Sequence, residues 1–198
     1  MAYIREIPLG ELSDKARELY ETNEAQLGYV PNYLKAFAHR PEVLSAWGQL
    51  LGAIRGNMDQ RRYELATLAA AGALRSTYCM LAHSTALLRS RIFTEAEVGA
   101  IARDYRTAGL TPAEVAMMGF AEKVTREAHT VTAADLDELR RHGFADAEIL
   151  DVVLAAAARC FFSKTLDGVG AEADSAFASL DVGLRALLAK GRPYNPGP

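Results

Sequence analysis

In the stretch "RSTYCMLAHS", residues 75 to 84, Cys79 stands four positions before His83. Positions i and i+4 of a helix share a face. The imidazole can therefore take the thiol's proton, or stand beside the sulfur as imidazolium. The chemistry this prepares is nucleophilic or redox, because the thiolate and not the thiol is the reactive form. If a helix begins near Thr77, Cys79 falls in its first turn, where free backbone N–H groups favour negative charge. Tyr78 offers a hydroxyl and a ring wall beside the sulfur. Three positions before the cysteine, where many redox helices carry a second thiol, stands Ser76.

A histidine base works best when a carboxylate holds it. Glu64, in "RRYELATLAAAGAL", is the candidate on the preceding helix. If two antiparallel helices turn near Ser76, a rise of about 1.5 Å per residue brings Glu64 back beside His83. A plainer reading makes Glu64 the solvated end of a helix and Cys79 a core thiol. Cys160, inside "LAAAARCFF", reads as a core residue, and His39, His129 and His142 read as surface residues. Glu64, Cys79 and His83 lack the spacing of structural zinc sites, so no metal is expected.

The elements that must position these residues are helices. Alanine, leucine, glutamate and arginine dominate, and β-branched runs between turn residues are nearly absent. Ser13 caps a helix that Gly28 ends, Pro31 enters a short one, and Pro41 starts another that stops at Gly56. Asp59 precedes the helix of Glu64, and Ser76-Thr77 precedes that of Cys79. Thr94 with Glu97, Thr111 with Glu114 and Thr132 with Asp135 mark three later starts. Asp146 opens a long apolar helix, and a last one lies near "ASLDVGLRALLAK", before the loose tail "GRPYNPGP". The fold class is all-α: a compact multi-helix domain, taken as one domain over 1–198.

Composition narrows the function. The 198 residues are 50% hydrophobic and 24% charged with a net charge of −3, enough for a core and without a basic block for nucleic acid. The start lacks the layout of a signal peptide, and "ILDVVLAAAARCFF" is interrupted by Asp151 and Arg159, so no membrane span is expected. Two cysteines do not make a disulfide framework. The reading is a cytoplasmic protein with reduced thiols.

Together, Glu64, Ser76, Cys79 and His83 resemble the signature of the alkylhydroperoxidase D-like proteins, of the carboxymuconolactone decarboxylase-like superfamily. The family pattern is Glu, eleven residues, Cys-x-x-Cys, three residues, His. Here it reads Glu64, eleven residues, Ser76-Thr77-Tyr78-Cys79, three residues, His83. The segments 28–47 and 61–89 resemble the lead-in helices and core helix pair of its peroxidase-related branch. The likeness spans about 15–170 and leaves 171–198 as a C-terminal helix and tail.

The resemblance implies an all-α homo-oligomer (dimer, trimer or hexamer) without haem, flavin or other cofactor. It makes Cys79 the thiol that attacks peroxide, His83 the relay base and Glu64 the carboxylate completing the relay. Ser76 replaces the resolving cysteine. Its hydroxyl can hydrogen-bond the sulfur but cannot form a disulfide. An external thiol must then close the cycle, or Cys160, if its Cα comes within about 7 Å of that of Cys79. The expected function is a one-cysteine peroxidase for hydrogen peroxide or small organic hydroperoxides, with Phe37, Trp47 and Met80 walling an apolar pocket. The alternatives are a cofactor-free acid/base enzyme of the lactone decarboxylase type, or a non-catalytic redox-sensing or binding protein.

Overall fold

Side chain to backbone bonds set where the helices start. Ser13 Oγ accepts from the Ala16 N–H, Asp59 accepts from Arg62, and Thr94–Glu97 and Thr111–Glu114 form reciprocal capping boxes. The computed structural model describes residues 2–195. Among them are the helices α1 (Asp14–Leu27), α2 (Asn32–Phe37), α3 (Pro41–Arg55), α4 (Gln60–Ala73), α5 (Thr77–Arg89), α6 (Glu95–Asp104), α7 (Pro112–Glu127), α8 (Ala133–Arg141), α9 (Asp146–Val169) and α10 (Val182–Leu188), and no strand. The fold is all-α. None of these helices is long and apolar enough to cross a membrane.

The core is built around α4. Every residue from Tyr63 to Ala71 is buried, so this helix is enclosed on all sides rather than amphipathic. Its alanines let α5, α7 and α9 pack directly against it. Glu64 lies inside that run at 2% exposure, which overturns the reading of it as a solvated helix end. Arg75 adopts a left-handed conformation (φ +55°) and closes α4, while Ser76 begins α5. The chain thereby reverses within three residues.

The C-terminal tail departs from its expected looseness. Thr77 Oγ1 donates to the Arg192 carbonyl at 2.7 Å and accepts from the Gly191 N–H at 3.0 Å. The Tyr194 hydroxyl donates to the Asp174 carbonyl at 3.0 Å. The strap passes so close to α5 that a Cβ on Gly191 would collide with the Arg75 carbonyl oxygen. Residues 196–198 of the expected tail lie outside the described residues.

Candidate active site

Helices α4 and α5 form the hairpin that brings Glu64 and His83 together. Glu64 Oε2 lies 2.6 Å from His83 Nδ1. Against a carboxylate the ring must donate, which leaves Nε2 with its lone pair. The His83 side chain is 14% exposed. Burial, seconded by the positive charge of Arg159, lowers its pKa from 6.5 to about 4, against the opposing pull of Glu64. At neutral pH His83 is therefore a neutral imidazole, not the imidazolium that sequence spacing also allowed.

Cys79 is 1% exposed and faces α9. Its Sγ accepts from Ser163 Oγ at 3.1 Å and from a terminal nitrogen (Nη1) of Arg159 at 3.5 Å. Neither residue was singled out from the sequence as part of the site. The available signal was one arginine inside "LAAAARCFFS", with a serine four positions later on the same helix face. Ser76, expected beside the sulfur, is the N-terminal cap of α5 and fully buried. Its hydroxyl is buried without a hydrogen-bond partner among the described residues. No hydrogen bond joins Ser76 to Cys79 among the described residues. The serine that serves the sulfur is Ser163.

Tyr78 also departs from expectation. Its hydroxyl turns away from the sulfur, donates to Asp174 Oδ2 at 2.6 Å and accepts from the Tyr33 N–H at 3.3 Å. Burial raises the Asp174 carboxyl above 3.8, while bonds from the Asn32 N–H and Tyr78 oppose it. Burial first, and then the Asp174 charge, push the Tyr78 phenol well above 10.0. Both residues are uncharged or paired anchors of the wall.

These groups line one cleft of about 360 Å³, with Cys79, His83 and Arg159 at its base and Tyr33, Trp47 and Phe162 among its walls. Trp47 stacks on Phe162 with centroids 4.3 Å apart. Of the three wall residues expected, Trp47 alone lines it. Phe37 lies behind, stacked on Phe162 at 5.8 Å, and Met80 lines a different cavity beside α6, since adjacent helical positions point about 100° apart. Cys160 is half-buried and free and is not among the residues of the cleft. His129 is exposed, while His39 and His142 are half-buried. No group of three His, Cys, Asp or Glu side chains is arranged to hold a metal among the described residues.

A carboxylate–histidine pair and a buried thiol thus sit on two adjacent helices of an all-α core. Residues 41–123 match the carboxymuconolactone decarboxylase family. An uncharacterized peroxidase-related protein from Ralstonia eutropha JMP134, described as an alkylhydroperoxidase AhpD core, is 27% identical with a TM-score of 0.79, over 89% of this chain and 94% of its own. A peroxidase-related protein from Silicibacter sp. TM1040 is 23% identical with a TM-score of 0.80, over 90% and 94%. A variant of the debrominase Bmp8 in complex with 2,3,4-tribromopyrrole shares the fold at 18% identity and a TM-score of 0.68, over 92% and 94%. No curated protein sequence matches the chain. Over residues 41–123 and in its fold the chain is similar to the alkylhydroperoxidase D-like, carboxymuconolactone decarboxylase-like superfamily.

Proposed function

We propose that this chain is a thiol peroxidase that reduces hydrogen peroxide or small organic hydroperoxides through Cys79 alone. The observation that carries the reading is the Cys79 sulfur at the base of an aromatic cleft that His83 also lines. The 2.6 Å bond of Glu64 orients that histidine.

The sulfur attacks one peroxide oxygen. An S–O bond forms, the O–O bond breaks, and the sulfur is oxidised by two electrons while the peroxide is reduced. His83 Nε2, which carries a lone pair at rest, takes the proton of the Cys79 thiol and delivers it to the leaving alkoxide, while Glu64 holds the ring in place. Cys79 becomes a sulfenic acid and an alcohol or water departs. A small thiol then condenses with the sulfenic acid, releasing water and leaving a mixed disulfide, which a second thiol reduces. The replacement of a nearby thiol by Ser76 makes that reductant external, which suits a reducing compartment such as the cytoplasm. Leu50 on α3 and Leu150, Leu154 and Phe161 on α9 are exposed, a surface suited to association of identical subunits.

A second reading rests on one further observation. A histidine neutral down to about pH 4 and paired with a carboxylate is a competent base without any thiol, as proton transfer at an activated carbon requires. In a third, the fold retains an oxidisable thiol as a sensor without turnover.

The deciding experiment adds hydrogen peroxide or cumene hydroperoxide and a small thiol, and follows thiol consumption together with the mass of the Cys79 peptide. A thiol-reversible adduct on Cys79 and turnover lost in Cys79→Ser support the peroxidase. One oxidation without turnover favours the sensor. No reaction with peroxide, with Cys79→Ser retaining activity on an acidic lactone, favours the acid/base enzyme.

A further inference from the structure

We propose that Arg159 is a catalytic residue of this site, the counter-charge that holds the Cys79 sulfur anionic and, with Ser163, supports the oxygen it acquires. The proposal deepens the thiol reading of the same cleft and rests on it only for the oxygen.

Arginine is almost never buried without a partner of opposite charge, because an unpaired charge in a protein interior loses its hydration without compensation. Arg159 is 3% exposed, yet no carboxylate lies within ion-pair distance of it among the described residues. Of the buried acids around the site, Glu64 has Oε2 committed to His83 and Asp174 has both oxygens taken by the Asn32 N–H and the Tyr78 hydroxyl. What the guanidinium does touch is the Cys79 sulfur, at 3.5 Å, and the face of Phe162, whose ring centroid is 5.6 Å away. Of these, only the sulfur can carry a negative charge.

His83 cannot serve as that counter-charge, since it is neutral at working pH. The titratable or charged groups around the sulfur and guanidinium include His83, Tyr78 and Arg89 on α5, Glu64 on α4, Arg55 on α3, Tyr29 and Tyr33 at and beside α2, and Asp174 after α9. Arg55 is a cation engaged with the Tyr63 ring at 5.1 Å, and Asp174 is bonded to Tyr78 at 2.6 Å. None of them replaces the Arg159–Cys79 contact.

The guanidinium also has donors to spare. Its Nε is buried with no hydrogen-bond partner, and the residue lines the cleft. A cleft-lining group that touches the sulfur and keeps an unpartnered buried N–H beside it is placed to support an oxygen bound to that sulfur. Ser163 Oγ donates from the other α9 position, 3.1 Å from the sulfur. Once His83 has taken the thiol proton, the two donors hold the anionic sulfur; after transfer they support the oxygen it has acquired, while the alkoxide leaves with the proton that His83 delivers.

The test measures the rate of Cys79 alkylation by iodoacetamide against pH in a Cys160→Ser background. Arg159→Met, which keeps the length and removes the charge, is expected to move the half-maximal pH upward by about one unit or more. Arg159→Lys, which keeps the charge, is expected to stay close to wild type. A profile unchanged in folded Arg159→Met overturns the proposal. If that variant does not fold alone, a double-mutant cycle decides. Cys79→Ala and Arg159→Met together should cost less stability than the sum of the two, and additive losses overturn the pairing. Alkylation needs no peroxide, so a shifted profile in a protein that does not turn over peroxide refutes the peroxidase reading and leaves the pair standing. Equal profiles with turnover do the reverse.

Discussion

His83 Nδ1 and Glu64 Oε2 lie 2.6 Å apart, in an interior where burial, reinforced by Arg159, keeps the imidazole neutral to about pH 4. Glu64 orients the ring without turning it into a standing cation. The site can thus hold a base and a guanidinium side by side without two neighbouring positive charges.

The first prediction concerns acid stability. An unfolded imidazole protonates near 6.5 and the folded one near 4. Between these values the unfolded chain binds the additional proton, so stability falls as pH drops through this window. Above 6.5 His83 adds no further pH dependence. The total effect is roughly 3 kcal/mol. Urea unfolding at pH 7.5 and 4.5 should show His83→Gln with a visibly smaller acid loss than wild type. Equal losses in both would mean that His83 is not held neutral.

Glu64→Gln separates orientation from charge. The amide oxygen can still accept from Nδ1–H, but the negative charge that steadies a transient imidazolium is gone. Peroxide turnover should drop roughly 10²-fold, the low end of what a positioned acid/base supplies. Iodoacetamide reactivity of Cys79 should change far less. If both fall together, Glu64 serves the sulfur and not the relay.

Cys160 is excluded from the cleft by its position on α9, about 100° around the helix from Arg159. Cys160→Ser should therefore leave thiol-dependent recycling at the wild-type rate. Peptide mapping after one equivalent of peroxide should find no Cys79–Cys160 disulfide. A recycling defect in this variant would assign resolution to Cys160.

Tyr78→Phe tests the wall. It removes the 2.6 Å donor from a buried carboxylate, Asp174, leaving the Asn32 N–H. The expected cost is about 1–3 kcal/mol, a fall of several degrees in Tm. Asp174→Asn, whose oxygen still accepts from the Asn32 N–H and whose NH2 can donate to a rotated Tyr78 hydroxyl, should cost less. The opposite order in thermal unfolding would show that the tyrosine hydroxyl contributes little.

What the residues alone determined are the features decided within a turn of helix. Ser13, Asp59, Thr94–Glu97 and Thr111–Glu114 meet backbone groups three positions away, and Pro41 and Gly28 act on their own φ angles. The Glu64–His83 pairing was nearly as local, since one three-residue reversal relates the two helices. Tertiary packing alone decided which face of α9 meets Cys79, across 80 and 84 positions for Arg159 and Ser163. It also left the Ser76 hydroxyl without a partner and aimed Tyr78 at Asp174. The rotation of one helix against another is the sum of many small contacts from residues far apart in the chain, and no spacing along a single segment encodes it.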